Sequence, residues 1–394
     1  MLTIFEPGSS DNALVSIYPF DDEYFAFTEY PVIHKIDPES LETLSRVDMY
    51  ESYGFVNHSA HPFVMNDGTV FNLGISVDKF GPSYNIICFP KGEKKFEDAN
   101  IVAKIPTRWK FHPSYMHSFG ITENFFIVVE HPLTVSVKRF IESKFTDEPM
   151  AFSLISFPNT STQIHLISRK SGKILQTYQT STFFYFHIIN QFEKENHVVV
   201  DICCINDVEV VNKMYIENLK KMSNDSYAEM FNAKPMRFVL PLKLKDSKAN
   251  YFKIPKCGSI FCEPELICDV NCELPRINYE KFLGLEYRFF YANSFDKTEE
   301  TGTLIKVDVR AKTKLTWCEN NCYPSEPIFV ASPESESEDD GVILASMVWG
   351  KGEENRVGLL VLDAKTMTEL GRCEFSNLPG PVPKCFHGWF ARNR

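Results

Sequence analysis

Four histidines stand where an imidazole is hard to explain as surface: His61 in NHSAHPF, His117 in HPSYMHSFG, His187 in TFFYFHIINQF and His387 in KCFHGWF. Imidazole is the side chain that most readily serves as a metal ligand or proton carrier near neutral pH. In an apolar run it must still satisfy one donor and one acceptor, and leaving either unmet costs about 1–3 kcal/mol. His187 poses the problem most sharply. Read as a strand over 182–192, its run is apolar on both faces, so the ring has no water to turn to and needs a partner from elsewhere in the chain. The four histidines are far apart and no His-x-x-x-His motif joins them, so spacing alone leaves open a metal site or four separately satisfied core histidines. His58, His112 and His131 read as structural, as do His34, His165 and His197 at hairpin positions that reach solvent. The cysteine pairs in CDVNC (Cys268, Cys272) and CENNC (Cys318, Cys322) are spaced more loosely than a zinc knuckle. Eleven scattered cysteines, an odd number, fit reduced thiols better than a disulfide framework.

For distant histidines to meet, the architecture must bring separate segments together. Strand signals dominate, as in FFIVV (125–129), HVVVDICCI (197–205) and GVILASMVW (341–349), each after a polar turn. One unit recurs as KIDPESLETL, LISRKSGKIL, KVDVRAKTKL and VLDAKTMTEL. In each, Asp37, Ser168, Asp308 or Asp363 can accept hydrogen bonds from the backbone of its own turn and so begin a hairpin. Four copies favour an all-β chain built as a radially repeated sheet, a β-propeller, whose innermost strands converge on one axis and can collect residues from different blades. Helical pattern is confined mainly to 207–235, where Val211, Met214, Tyr215 and Leu219 fall near one face; it reads as a small insertion over one face of the sheets. The acidic SPESESEDDG (332–341) reads as a solvated loop.

Composition narrows the function. Thirty-four phenylalanines in 394 residues give unusually large apolar side chains to bury and hint at an apolar interior cavity. A net charge of −11 without clustered Lys and Arg argues against nucleic acid as a partner. The first residues lack a basic, apolar leader and no run approaches ~18 apolar residues, so the chain reads as cytoplasmic.

Several longer stretches carry a resemblance. DNALVSIYPF, FTEYPVIHKIDPESLETL, SAHPFVMNDGTVFNLG, HPSYMHSFGIT, FHIINQFE, CELPRINYEKFLG, YPSEPIFVASPESESEDDGV and FHGWF, in this order, resemble the carotenoid cleavage oxygenases. The likeness is to their animal branch of β-carotene oxygenases, insect isomerooxygenases and the retinal pigment epithelium isomerohydrolase. It runs from about residue 10 to the end. It implies a seven-bladed propeller holding Fe(2+) on His61, His117, His187 and His387. It also implies three outer glutamates, Glu29 paired with His117, Glu273 with His187 and Glu326 with His387, leaving His61 without one. Such a carboxylate fixes the tautomer of a ligating imidazole and raises its basicity, which would supply the partner His187 needs.

The activity implied is addition of dioxygen across one double bond of a conjugated polyene such as β-carotene, giving retinal-type aldehydes. Thr28, Phe186 and Phe386 are the positions expected near the polyene. Eccentric cleavage, or isomerisation of a retinoid on the same scaffold, is the rival enzyme reading, and a non-catalytic carotenoid-binding remnant is the reading of a different class. Ile205 and Asn212 stand where the isomerohydrolase branch carries aromatics, which weighs against ester isomerisation. Family members take their substrate from a membrane surface. The segment 131–145 is the candidate contact, with Leu133, Val135, Val137, Phe140 and Ile141 interleaved with Lys138, Arg139 and Lys144. Chains of the family begin earlier, so 1–394 is read as one propeller domain lacking the N-terminal blade region.

Overall fold

A computed structural model describes residues 11–143, 145–146, 148–208, 210–221, 232–243, 252–253, 259–294, 301–376 and 378–391. Strands dominate, and they form two compact units, Met1–Phe184 with Lys253–Cys262, and Tyr185–Phe252 with Glu263–Arg394.

The first unit holds three large sheets, antiparallel except for one added strand. The first runs Ser16–Phe20, Glu23–Phe27, Val32–Ile36 and Thr43–Asp48 in simple up-and-down order. The second is built on Phe55–His58, Val70–Asp78, Gly81–Phe89 and Asn100–Pro106, with Phe63–Val64 beside the long Val70–Asp78. The third joins Gly120–Ile121, Phe125–Glu130, Thr162–Ser168 and Ile174–Thr180, and Ile260–Cys262 adds a parallel strand beside Ile174–Thr180. The second unit repeats the plan. Its sheets are Ile188–Lys194, His197–Ile205, Ala233–Pro241 and Glu265–Leu266; Cys272–Arg276, Phe289–Ser294, Thr301–Asp308 and Thr313–Asn320; and Cys322–Pro324, Ile328–Ala331, Gly341–Trp349, Val357–Asp363 and Glu369–Phe375.

Six blade-like sheets, three in each unit, stand where seven were expected; the strands Leu133–Val135 and Leu154–Ser156 pair only with one another, as a separate two-stranded sheet in the first unit. The repeated sequence unit is the outer hairpin of the first, third, fifth and sixth sheets. Its mechanism is the one anticipated. Asp37 Oδ1 accepts the N–H groups of Glu39 and Ser40, Asp308 Oδ1 those of Arg310 and Ala311, and Asp363 Oδ1 those of Lys365 and Thr366, each at 2.8–3.0 Å. Ser168 Oγ accepts from Ser171 more loosely, at 3.3 Å.

Burial distinguishes the sheets. In the second and fourth, Val70–Ile75 and Val198–Ile205 are buried at every position, the mark of strands covered on both faces. In the sixth, Ile343, Ala345, Met347 and Trp349 are buried with Leu360 and Leu362, while Val342, Leu344, Ser346 and Val348 alternate with them and stay partly open. The open face continues over Val357, Leu359, Val361 and Phe375 and is just as apolar.

Three local expectations change. The strand around His187 begins only at Ile188; His187 lies just before it, its carbonyl accepting from Cys203 N–H at 3.1 Å where the pairing register slips. The helical insertion, in its described part, is two one-turn helices, Val210–Lys213 and Ile216–Leu219, because Tyr215 is extended and breaks the amphipathic face; positions 209 and 222–231 lie outside the described residues, as does the side chain of Asn212. The acidic loop is tied down rather than merely solvated. Glu338 accepts the N–H groups of Arg288 and Phe289, and Asp339 pairs with the buried Lys306 at 2.5 Å. Six of the ten described cysteines are buried, and all ten are free thiols.

Candidate metal centre

In the first unit the site grows from three segments. Glu29 follows the strand Glu23–Phe27, and its carbonyl accepts from Asn57 Nδ2 at 2.8 Å and from His58 N–H at 3.2 Å, which fixes the turn that carries it. Ser59, just beyond the strand Phe55–His58, accepts the N–H of His61 at 3.0 Å and donates its hydroxyl to the carbonyl of His117 at 2.5 Å, so one serine ties both histidine backbones together. The two rings lie 4.6 Å apart with their Nε2 atoms 3.0 Å from one another. His117 Nδ1 is 2.6 Å from Glu29 Oε1, and the Tyr115 hydroxyl donates to the same oxygen at 2.5 Å. A carboxylate at Nδ1 holds the proton there and leaves Nε2 with its lone pair.

In the second unit His187 Nδ1 lies 2.7 Å from Glu273 Oε2, which also accepts the Leu274 N–H at 2.9 Å. Burial pushes the Glu273 carboxyl up to about 8, against the lowering effect of the Leu274 and Phe186 N–H groups. His387 Nδ1 lies 2.8 Å from Glu326 Oε1. Glu326 is just as buried, but the Arg276 guanidinium and then His387 hold its carboxyl below the usual range. The rings of His187 and His387 meet edge to face at 5.0 Å.

The structure therefore puts each of the three glutamates on the histidine with which it was paired, and His61 on Ser59 and His117. Sequence reasoning missed Ser59, Tyr115 and Arg276. Tyr115 and Arg276 lie two or three residues from a named site residue, inside HPSYMHSFG and CELPRINY, and that proximity was the available signal. Thr28 is buried beside Glu29, Phe186 is partly buried beside His187, and Phe386 is 54% exposed. One further expectation fails: His165 does not reach solvent. It sits mid-strand in the third sheet, buried, with Nδ1 2.9 Å from Thr177 Oγ1 and Nε2 3.3 Å from Glu130 Oε2.

The donor set fits a metal. In each unit a pair of imidazoles, His61 with His117 and His187 with His387, offers donors for an ion, and all-imidazole coordination suits zinc, copper, iron or nickel. Two nitrogens bound at right angles at about 2.1 Å to one ion stand about 3.0 Å apart, the separation observed for His61 and His117.

Comparison with known proteins agrees. The family model described as retinal pigment epithelial membrane protein matches residues 3–392. Carotenoid isomerooxygenases of Drosophila melanogaster and Galleria mellonella are 44% and 47% identical, each over 99% of this chain and 75% of its own. The β,β-carotene 15,15'-dioxygenase of Gallus gallus is 37% identical over 93% of this chain and 73% of its own. Among solved structures, a variant of the Synechocystis apocarotenoid oxygenase superposes with a TM-score of 0.75 at 20% identity, and its cobalt-substituted form with 0.74 at 21%; each match covers 99% of this chain and 77% of the other. At that identity the likeness shows the fold, an all-β propeller. With a family model spanning nearly the whole sequence and relatives above 40% identity along it, the chain belongs to the carotenoid cleavage oxygenase family.

Proposed function

We propose that the protein is a carotenoid dioxygenase in which His61, His117, His187 and His387 together hold one ferrous ion within a single propeller domain. The observation that carries this reading is a glutamate carboxyl oxygen within 2.8 Å of Nδ1 of His117, His187 and His387, which engages that nitrogen and turns each Nε2 outward as the donor. When bound, ferrous iron supplies the reactivity toward dioxygen that no side chain has. The chain's own residues do the rest. Glu29, Glu273 and Glu326 hold the imidazole protons at Nδ1 and keep the rings from turning. Thr28 and Phe186, buried or partly so beside Glu29 and His187, exclude water from the flank of the site, and Phe386 offers an apolar surface to the polyene. The reaction consumes dioxygen and a conjugated polyene, breaks one carbon–carbon double bond and places one oxygen atom on each new aldehyde. Two relatives are named isomerooxygenases, and this favours a second reading in which one product also changes double-bond geometry.

An oily substrate requires access to a membrane surface. Among the described residues no helix is long and apolar enough to cross a bilayer. The segment 131–145 contributes through its later half. Leu133 is buried in the strand Leu133–Val135, whereas the helix Val137–Ser143 exposes Lys138 and Arg139 and leads to Phe145, 81% exposed. Phe111, 69% exposed, joins it, since its carbonyl accepts the Val137 N–H. Lys144 lies outside the described residues. An apolar tip flanked by basic groups suits peripheral binding from the cytoplasmic side to anionic lipid.

The test is the metal content of the purified chain beside that of His187→Ala, followed by oxygen uptake and product chromatography with β-carotene. Near-stoichiometric iron lost in the variant, with retinal-type aldehydes formed by the parent, is the expected result. No iron in either protein overturns the metal reading. Bound iron without oxygen uptake points to a carotenoid-binding remnant.

A further inference from the structure

Arg276 follows Glu273 by three positions on the strand Cys272–Arg276, a separation that puts two side chains on opposite faces of a regular strand. Here Glu273 pairs with Asn293 and Arg276 with Tyr291, so three steps on one strand span two on its neighbour. The additional residue is taken up where Leu274 adopts a φ of +55°, and the resulting bulge turns Glu273 and Arg276 to the same face. Glu273 reaches His187. Arg276, itself buried, pairs with Glu326, with Nε 2.8 Å from Oε1 as an ion pair and Nη2 donating a hydrogen bond to Oε2 at 2.9 Å.

The need for this clamp lies in the local backbone. His387 sits in a run from 378 to 391 that carries neither strand nor helix, so no ladder of backbone bonds fixes its ring. Side chains do so instead. Glu326 accepts the Gly388 N–H at 3.2 Å as well as His387 Nδ1, and Arg276 Nη2 donates to the Gly388 carbonyl at 2.9 Å. Arg276 therefore holds both the carboxylate that orients the imidazole and the peptide that follows it, and its guanidinium lies 5.2 Å over the Tyr279 ring.

We propose that Arg276 is a positioning residue for His387, acting through Glu326 and the Gly388 carbonyl, and that the bulge at Leu274 lets one strand set two of the four imidazoles, His187 by Glu273 and His387 by Arg276. The inference rests on the four-histidine metal reading. It does not require Arg276 to touch metal or substrate.

The experiment is a cobalt(II) titration of the full chain, followed by visible absorption, for the parent, Arg276→Lys, Glu326→Gln and the double variant, with circular dichroism as the check on folding. Lysine keeps the charge but loses the rigid guanidinium whose Nη2 joins the Glu326 carboxylate to the Gly388 carbonyl. Arg276→Lys is expected to fold, to bind cobalt about 10–100-fold more weakly and to shift the cobalt bands in the same direction as Glu326→Gln. The double variant is expected to lose less than the two single losses multiplied, since the arginine acts partly through that carboxylate and only the remainder through the Gly388 carbonyl. Parent-like cobalt affinity in Arg276→Lys, or losses that multiply in the double variant, overturn this inference alone. A parent that takes up no cobalt overturns the metal reading with it. Should Arg276→Lys fail to fold, Tyr279→Leu, which removes only the ring beneath the guanidinium, is expected to weaken cobalt binding severalfold, and an unchanged affinity there overturns the proposal.

Discussion

His61 and His117 are fastened by hydroxyls: Ser59 links their backbones, and the Tyr115 hydroxyl shares the Glu29 oxygen with His117. His187 and His387 are fastened by buried carboxyls, one of them locked to a buried arginine. The difference follows from where each ring sits. Ser59 directly follows a strand, and its hydroxyl needs only short reach. His387 lies in an irregular run and must be held by long charged side chains from elsewhere in its unit. Neutral hydrogen bonds stabilise modestly and cost little to rearrange; a buried ion pair is net neutral while intact and costly once broken.

That contrast can be broken at its strongest point first. Glu326→Gln leaves the Arg276 guanidinium buried without its anion, and a loss of about 3–5 kcal/mol in urea unfolding is expected. Glu29→Gln, which keeps an acceptor for Tyr115 and removes no arginine partner, is expected to cost only about 1–2 kcal/mol. Equal losses would erase the distinction.

The first unit has its own sensitivity, to acid. His58 is fully buried with Nδ1 3.2 Å from Asn72 Nδ2, and burial pushes its imidazole down to about 4; burial likewise pushes His131 down to about 3. In the unfolded chain such rings take up a proton near 6.5, so the unfolded state binds more protons below that pH. Stability is complete above pH 6.5 and falls as pH drops toward 4, by up to about 3 kcal/mol for His58 alone. Hydrogen exchange at pH 7 and pH 5 should show the first unit opening more readily at the lower pH, and His58→Gln should flatten that dependence.

Smaller effects sharpen the comparison. Tyr115→Phe removes one donor from the half-buried Glu29 carboxylate and is expected to cost about 1 kcal/mol in urea unfolding. Gly388→Ala would place a Cβ 2.9 Å from Ile328 Cδ1, the movable end of a side chain, so about 1 kcal/mol is expected, read as a drop of a few degrees in Tm.

Much of this was legible in the sequence where the physics is local. Asp37, Asp308 and Asp363 announce their hairpins because an aspartate two or three residues before an N–H can reach it without help from the rest of the chain. The four histidines stood out by their apolar settings, but the glutamates and their pairing were legible only through resemblance, since Glu29 and His117 are 88 positions apart and nothing in their spacing joins them. The bulge at Leu274 was invisible: a leucine before a proline ordinarily reads as extended, and only the pairing of Glu273 with Asn293 and Arg276 with Tyr291 forces it otherwise. His165 misled because its hairpin suggested solvent, while the strand is buried on both faces, Ile164 and Leu166 on one and His165 and Ile167 on the other. The acidic loop misled because its charges find partners, Lys306 above all, from outside the loop.

The open apolar face of the sixth sheet, from Val342 and Leu344 across Leu359 to Phe375, has a consequence at the bench. Excluded salts such as ammonium sulfate strengthen every apolar contact available to a molecule, and this one carries a largely apolar flank on which to act. The protein should salt out at unusually low ammonium sulfate. A mild non-ionic detergent, by wetting that flank, should raise the precipitation threshold far more than added sodium chloride does.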